Sequence, residues 1–267
     1  MTSPLLALAP AIRARKAPFC AWVGLRDPII PESLARDGFD FIVLDWQHGF
    51  QNNESVVAGI GAAAIAGKAA MVRIGVGDFA GASRFLDFGA AGIIAPMVNS
   101  AADAKAFAAA MKYPPMGERS WGPARALGLS GLTLQQNLEQ ANGHTLAIAM
   151  IETRAAIAAV DDILAVPGID GVFAGPSDLS VTLSNGAHID HAHPDVAKAI
   201  DHIIARAQAH NKLAGAFCMS GERAADHVRR GCHFTTIGND AILLRAGAKA
   251  ELDKARGGVR APVKSGY

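Results

Sequence analysis

Eight short apolar runs, separated by stretches with helical spacing, constrain this chain's fold more than any other feature. They are FCAWVG (19–24), DFIVLD (40–45), AAMVRI (69–74), AGIIAP (91–96), LAIAMIE (146–152), DGVFAG (170–175), LAGAFC (213–218) and FTTIG (234–238). Most are too short for helices. Their apolarity is continuous, not alternating, which suits strands covered on both faces, as in a parallel sheet. Between them, PESLARDG (31–38), AGASRFLDFG (80–89) and ADAKAFAAAMK (102–112) read as helices. In the last of these, Asp103 near the start and Lys112 near the end complement the helix dipole. Strands alternating with helices eight times over predict an α/β fold, a (β/α)8 barrel, with a doubly wound sheet as the alternative. No linker or repeat interrupts residues 1–267, so the chain reads as one domain. Residues 4–16 read as a short helix capping the barrel, and 257–267, rich in Gly, Pro and basic residues, as a frayed end. The connections 113–145 and 176–212 exceed usual loop lengths and read as functional or lid-like.

Composition narrows the function classes. The formal net charge is +1, with acids and bases scattered, so no basic patch marks a nucleic-acid binder. Cys20, Cys218 and Cys232 show neither CxxC spacing nor a paired framework and read as thiols of a reducing cytoplasm. In the opening MTSPLLALAPAIRARK the positive charges follow the apolar stretch, the reverse of a secretory signal. No run of about 18 apolar residues reads as a membrane span.

The C-terminal ends of the predicted strands carry the candidate chemistry, because ligands bind at that edge of a parallel α/β fold. Asp45 and His48 follow the second run, Arg73 ends the third, Glu152 ends the fifth, and Gly175-Pro176-Ser177-Asp178 follows the sixth. Glu152 and Asp178, two carboxylates on neighbouring strand ends, suit a hard divalent cation such as Mg²⁺ or Mn²⁺. Arg73 interrupts an apolar strand and needs an anionic partner, either a substrate or, as a buried pair, Asp45 or Asp87. His48 reads as a general base or as a core histidine. Asp87 either orients His48 or is a solvated helix residue. If Asp178 opens a helix, the N–H groups of that turn are placed to hold a substrate carboxylate.

Other features are weaker. His188, His191 and His193 tempt a zinc assignment, but no matching ligands lie elsewhere and a solvated loop reads better. The glycine turns GVGDFAG (75–81), SGE (220–222) and IGND (237–240) match no phosphate-loop pattern. No lysine falls at a strand's C-terminal end, which disfavours an imine mechanism, and no GxSxG elbow occurs.

In order along residues 19–245, LDWQHG, MVRIG, GAAGIIAPMVNSAADA, YPPMGERSWGPARA, IETRAA and GIDGVFAGPSDLS resemble the HpcH/HpaI family of metal-dependent pyruvate aldolases. The resemblance implies a (β/α)8 barrel, assembled as a hexamer by exchange of the last helix, that cleaves 4-hydroxy-2-oxoacids reversibly to pyruvate and an aldehyde through an enolate. It implies Glu152 and Asp178 as ligands of Mg²⁺, Mn²⁺ or Co²⁺, with Arg73 at the keto oxygen. His48 and Asp87 would transfer protons, supported by Asp45. Two positions depart from the family pattern: Gln47 stands where an acid is usual, and Met150 where glutamine is frequent. Both bear on substrate preference. A lyase of CoA thioesters of the malyl-CoA type, using arginines of YPPMGERSWGPARA, and a non-catalytic oxyacid-binding barrel remain as alternatives.

Overall fold

The computed structural model describes residues 3–16 and 18–257; most of the tail at 257–267 lies outside the described residues. All eight apolar runs form strands: β1 (Phe19–Val23), β2 (Phe41–Asp45), β3 (Ala70–Arg73), β4 (Gly92–Ala95), β5 (Leu146–Ile151), β6 (Gly171–Ala174), β7 (Leu213–Ala216) and β8 (Phe234–Thr236). They pair in parallel and in sequence order, and β1 also pairs with β8, so the sheet closes into a barrel. The doubly wound alternative is thereby excluded. Every strand segment joins β to α to β, so all C-terminal ends reach one rim and all N-terminal ends the opposite floor.

Side-chain parity separates two apolar cores. Trp22, Phe41, Val43, Met71, Ile148, Met150, Phe173 and Phe234 fill the barrel interior. Their neighbours Ala21, Val23, Ile42, Leu44, Val72, Ala147, Ala149 and Val172 face the helical layer. Period-two alternation thus puts Asp45 in phase with Phe41 and Val43, Arg73 with Met71, and Glu152 with Ile148 and Met150. Three charged residues point inward at the top of an apolar interior for this reason alone. The two long connections are not bare loops: helices Ala124–Ser130 and Leu134–His144 occupy the first, and Pro176–Leu183 and Pro194–Ala209 the second.

At the floor, the helix Pro4–Arg13 packs Leu8, Ala9 and Ile12 beneath the strand starts, as expected for a cap. Lys112 caps the C-terminal end of helix Ala101–Met111, as the dipole argument expects, and is also 1% exposed, donating through Nζ to Thr145 O (2.6 Å), Asp170 Oδ2 (2.7 Å) and Asn142 O (3.0 Å). Asp170 also accepts from Arg13 at 2.9 Å and from the Ala147 N–H at 2.9 Å, so one half-buried carboxylate compensates the lysine and ties the cap to β5. Among the described residues no helix is long and apolar enough to cross a membrane.

Beside this network His144 is 8% exposed and its Nδ1 has no partner. Burial, with Lys112 and Arg119 nearby, pushes its pKa down to about 4 from 6.5. The unfolded chain therefore takes up a proton that the folded chain refuses, so this contribution is full above pH 6.5 and is lost as pH falls towards 4. We expect the melting temperature to fall across that interval, and His144→Asn to flatten the slope whatever its fixed offset; scanning calorimetry at stepped pH measures both.

Candidate active site

The rim opens into a cavity of about 740 Å³ whose walls include Asp45, His48, Arg73 and Asp178. Its organising group is the Asp45 carboxylate, 5% exposed at the end of β2. Asp45 and Arg73 are direct partners in the β2–β3 register. That pairing lets Arg73 donate two parallel bonds, Nε to Oδ1 at 2.9 Å and an Nη to Oδ2 at 2.6 Å. The same carboxylate accepts from Trp22 Nε1 at 3.0 Å and from the His48 backbone N–H at 3.2 Å. The Arg73 guanidinium also lies over the Trp22 ring, 4.9 Å from its centroid. Of the two partners the sequence offered Arg73, it takes Asp45. Its second Nη makes no hydrogen bond among the described residues and remains for a ligand.

His48 is exposed and lines the cavity, not the core. The turn that presents it is fixed at both sides: Trp46 N–H donates to Arg73 O at 3.0 Å, and Phe50 N–H to Gly24 O at 2.8 Å. Gly49 permits this closure, since a Cβ there would lie 2.3 Å from Asp45 O and 2.8 Å from Gly24 Cα. Gln47 Oε1 and Trp46 Nε1 are buried without partners in the same turn.

Glu152, one residue beyond β5, is 2% exposed and accepts from the Met97 N–H at 2.8 Å. Burial pushes its pKa up to about 7 against that donated bond; Asp178 adds to the rise and Arg73 opposes it. Its Oε2 has no hydrogen-bond donor among the described residues. Gly175 allows the approach of this oxygen, for a Cβ there would stand 2.6 Å from it. Asp178 lies in the first turn of helix Pro176–Leu183, whose N-terminus has no side-chain cap. The expectation that it opens a helix is met, and the N–H groups of Ser177 and Asp178 are uncapped at the cavity wall. Two carboxylates close enough for Asp178 to raise the Glu152 pKa, one of them with a donorless oxygen, fit a divalent ion. No group of three or more His, Cys, Asp or Glu that could hold a metal occurs among the described residues, so water and substrate oxygens must complete any shell.

Asp87 is not brought to this cluster within the chain. Its Oδ1 accepts from Arg119 at 2.7 Å, and it does not line the cavity. The arginines that a CoA ester would require are likewise committed: Arg119 to Asp87 and the Tyr113 ring, and Arg125 to Phe88 O. The three glycine turns satisfy their own donors, Asp78 taking Gly81 N–H, Ser220 taking Arg223 N–H, and Asn239 taking Ile242 N–H. His191 bonds Ser177 through Nε2 at 2.9 Å, and the His188 and His193 rings lie against each other at a tilt, with no zinc cluster formed among the described residues. No lysine lines the cavity.

Sequence reasoning missed three groups. Trp22 was legible as an inward position of β1. Asp240, 5% exposed, accepts from Gly24 N–H (3.1 Å) and Leu25 N–H (2.8 Å), a contact across 216 and 215 positions with no local signal. The Met97 N–H, a backbone donor, carries none either.

Residues 19–246 match the family described as HpcH/HpaI aldolase/citrate lyase. The chain is 40% identical to a hydroxypyruvate/pyruvate aldolase of Rhizorhabdus wittichii, over 88% of this chain and 92% of that one. It is 34% identical to a 4-hydroxy-2-oxo-heptane-1,7-dioate aldolase of Salmonella dublin, over 91% and 92%. The crystal structure of an HpcH/HpaI aldolase from Desulfitobacterium hafniense superposes with a TM-score of 0.86 at 27% identity, covering 93% of this chain and 96% of that one.

The buried Asp45–Arg73 pair makes a direct prediction. Asp45→Ala leaves a guanidinium uncompensated in an apolar interior, and we expect a loss of about 3–5 kcal/mol in denaturant unfolding. The double variant Asp45→Ala, Arg73→Met should recover much of that loss; equal loss in both would contradict the pairing argument.

Proposed function

Because the chain belongs to the HpcH/HpaI aldolase/citrate lyase family and is an aldolase, a carbon–carbon lyase, we propose that its rim cavity cleaves 4-hydroxy-2-oxoacids reversibly to pyruvate and an aldehyde. The observation that carries this reading is a cavity lined by an anchored guanidinium, an exposed imidazole and the Asp178 carboxylate, with the buried Glu152 carboxylate set behind Gly175 of the same wall.

We assign Glu152 and Asp178 to hold Mg²⁺, Mn²⁺ or Co²⁺. Bound there, the cation supplies Lewis acidity at the keto oxygen of the substrate. The uncapped N–H groups of Ser177 and Asp178, beside Gly175 and Pro176, receive the substrate carboxylate, as helix N-termini receive anions. Arg73 directs its free Nη to the keto oxygen, where negative charge develops as the C3–C4 bond breaks. Asp45 keeps that charge in place beforehand, so no reorganisation is needed at the moment of reaction. His48 removes the proton of the C4 hydroxyl in cleavage and returns it in the reverse addition. Asp87, paired with Arg119 and outside the cavity lining, is not assigned a part in that transfer within one protomer.

A hexamer built by exchange of the last helix is supported by the surface of helix Asp240–Ala255. Of its residues only Asp240 is buried, while Leu244 is 65% and Leu252 50% exposed. A six-fold chain mass in light scattering, reduced by Leu244→Glu with Leu252→Glu, is expected; a monomeric wild type refutes the assembly.

Exchange of pyruvate's methyl protons in D₂O, followed by NMR, tests the chemistry. Metal-dependent exchange should vanish with EDTA and in Glu152→Ala, and should fall about 10²–10³-fold in Arg73→Ala, as when an oxyanion-stabilising donor is removed. Exchange that persists in Glu152→Ala would remove that residue from the cation site.

A further inference from the structure

We infer that the loop spanning 184–193 forms the acceptor wall of this cavity and that the wall selects uncharged, apolar aldehydes over those ending in a carboxylate. The inference rests on the aldolase reading above, and it concerns the half of the substrate that the Asp45–Arg73 and Glu152–Asp178 groups do not touch.

Beyond those groups the cavity is lined by Leu25, Phe50, Val181 and Ile189. Phe50 is 75% and Ile189 68% exposed, large apolar side chains turned to the opening of a site whose other groups are charged. Water gains nothing from such a lining, whereas an alkyl chain laid against it removes apolar surface from solvent on both sides. Ile189 holds its place through the residues that follow it. Asp190 N–H donates to Ser180 Oγ at 2.7 Å, His191 Nε2 meets Ser177 Oγ at 2.9 Å, and Arg223 donates to His191 O at 2.6 Å. Ser177 and Ser180 flank Asp178 on one helix, so this wall is tethered to the same turn that is assigned the substrate carboxylate.

Charge points the same way. Among the described residues the lining contains one guanidinium, Arg73, already doubly bonded to Asp45, and no lysine. Asp240 lines the cavity beside Leu25. A carboxylate at the far end of an aldehyde would lose water there and stand near Asp240, with the one guanidinium of the lining already given to the keto oxygen.

The test uses the full-length enzyme loaded with Mn²⁺, pyruvate as donor, and two acceptors of similar length, pentanal and succinic semialdehyde. We expect kcat/KM to favour pentanal by about 10-fold or more, in the range that hydrophobic-pocket discrimination provides. Ile189→Lys should narrow that ratio at least about 10-fold, and Ile189→Ala, which keeps the loop tethers, should lower it by weakening pentanal. A wild type that prefers succinic semialdehyde, or treats the two alike, overturns the inference. A ratio unmoved in both variants removes the loop from the acceptor site. Failure of the aldolase reading is separately visible as absence of pyruvate proton exchange before any aldehyde is added, and it overturns this inference as well.

Discussion

One carboxylate fixes the geometry on which the rim depends. Asp45 sits at an inward-facing position where the barrel interior is otherwise apolar, and its β2–β3 register partner is Arg73. Neither charge is tolerable there alone; together they satisfy one another through two bonds, and the remaining lone pairs take Trp22 Nε1 and the His48 N–H. The ends of β1, β2 and β3 are thereby locked around one anion. Such a buried pair is poor evidence for net stability, since apolar side chains of equal volume often hold a fold as well. Its value is directional: it holds a guanidinium edge towards the cavity without help from any ligand.

The barrel was legible because its determinants are local. Eight apolar runs, each bounded by turns, became eight strands within one or two residues of their expected limits. The candidate residues at strand ends were legible for a related reason: Asp45, Arg73 and Glu152 follow from period-two parity once the strands are placed. Asp87 shows where that reasoning stops. Its helix was recognised, but the direction of its side chain depends on Arg119, 32 positions later in a segment without periodicity. Lys112 shows the same limit: its place at a helix end was legible, but its burial depends on Asp170, Thr145 and Asn142, which lie 30 to 58 positions away.

Floor and rim divide the labour of the fold. At the floor, Lys112 and Asp170 are fully bonded, and the cap helix completes the apolar seal. At the rim, polar groups are left incomplete: a free Nη on Arg73, an uncapped helix at Pro176, a donorless oxygen on Glu152. Unsatisfied groups cost stability wherever they occur; His144 Nδ1 bears that cost beside the floor network, whereas the incomplete groups of the rim stand where a ligand can complete them.

The contact of Asp240 with Gly24 and Leu25 has a consequence for the order of events during synthesis. A loop made among the first tenth of the chain takes its shape from a side chain translated near the end, and β1 finds its second neighbour only when β8 has emerged. A nascent chain can form its early helices and strand pairs, but it has no complete cavity until the ribosome has passed residue 240. Substrate therefore cannot template the folding of a partial chain, and a truncation before β8 leaves β1 as an open sheet edge, the kind of surface on which chains aggregate.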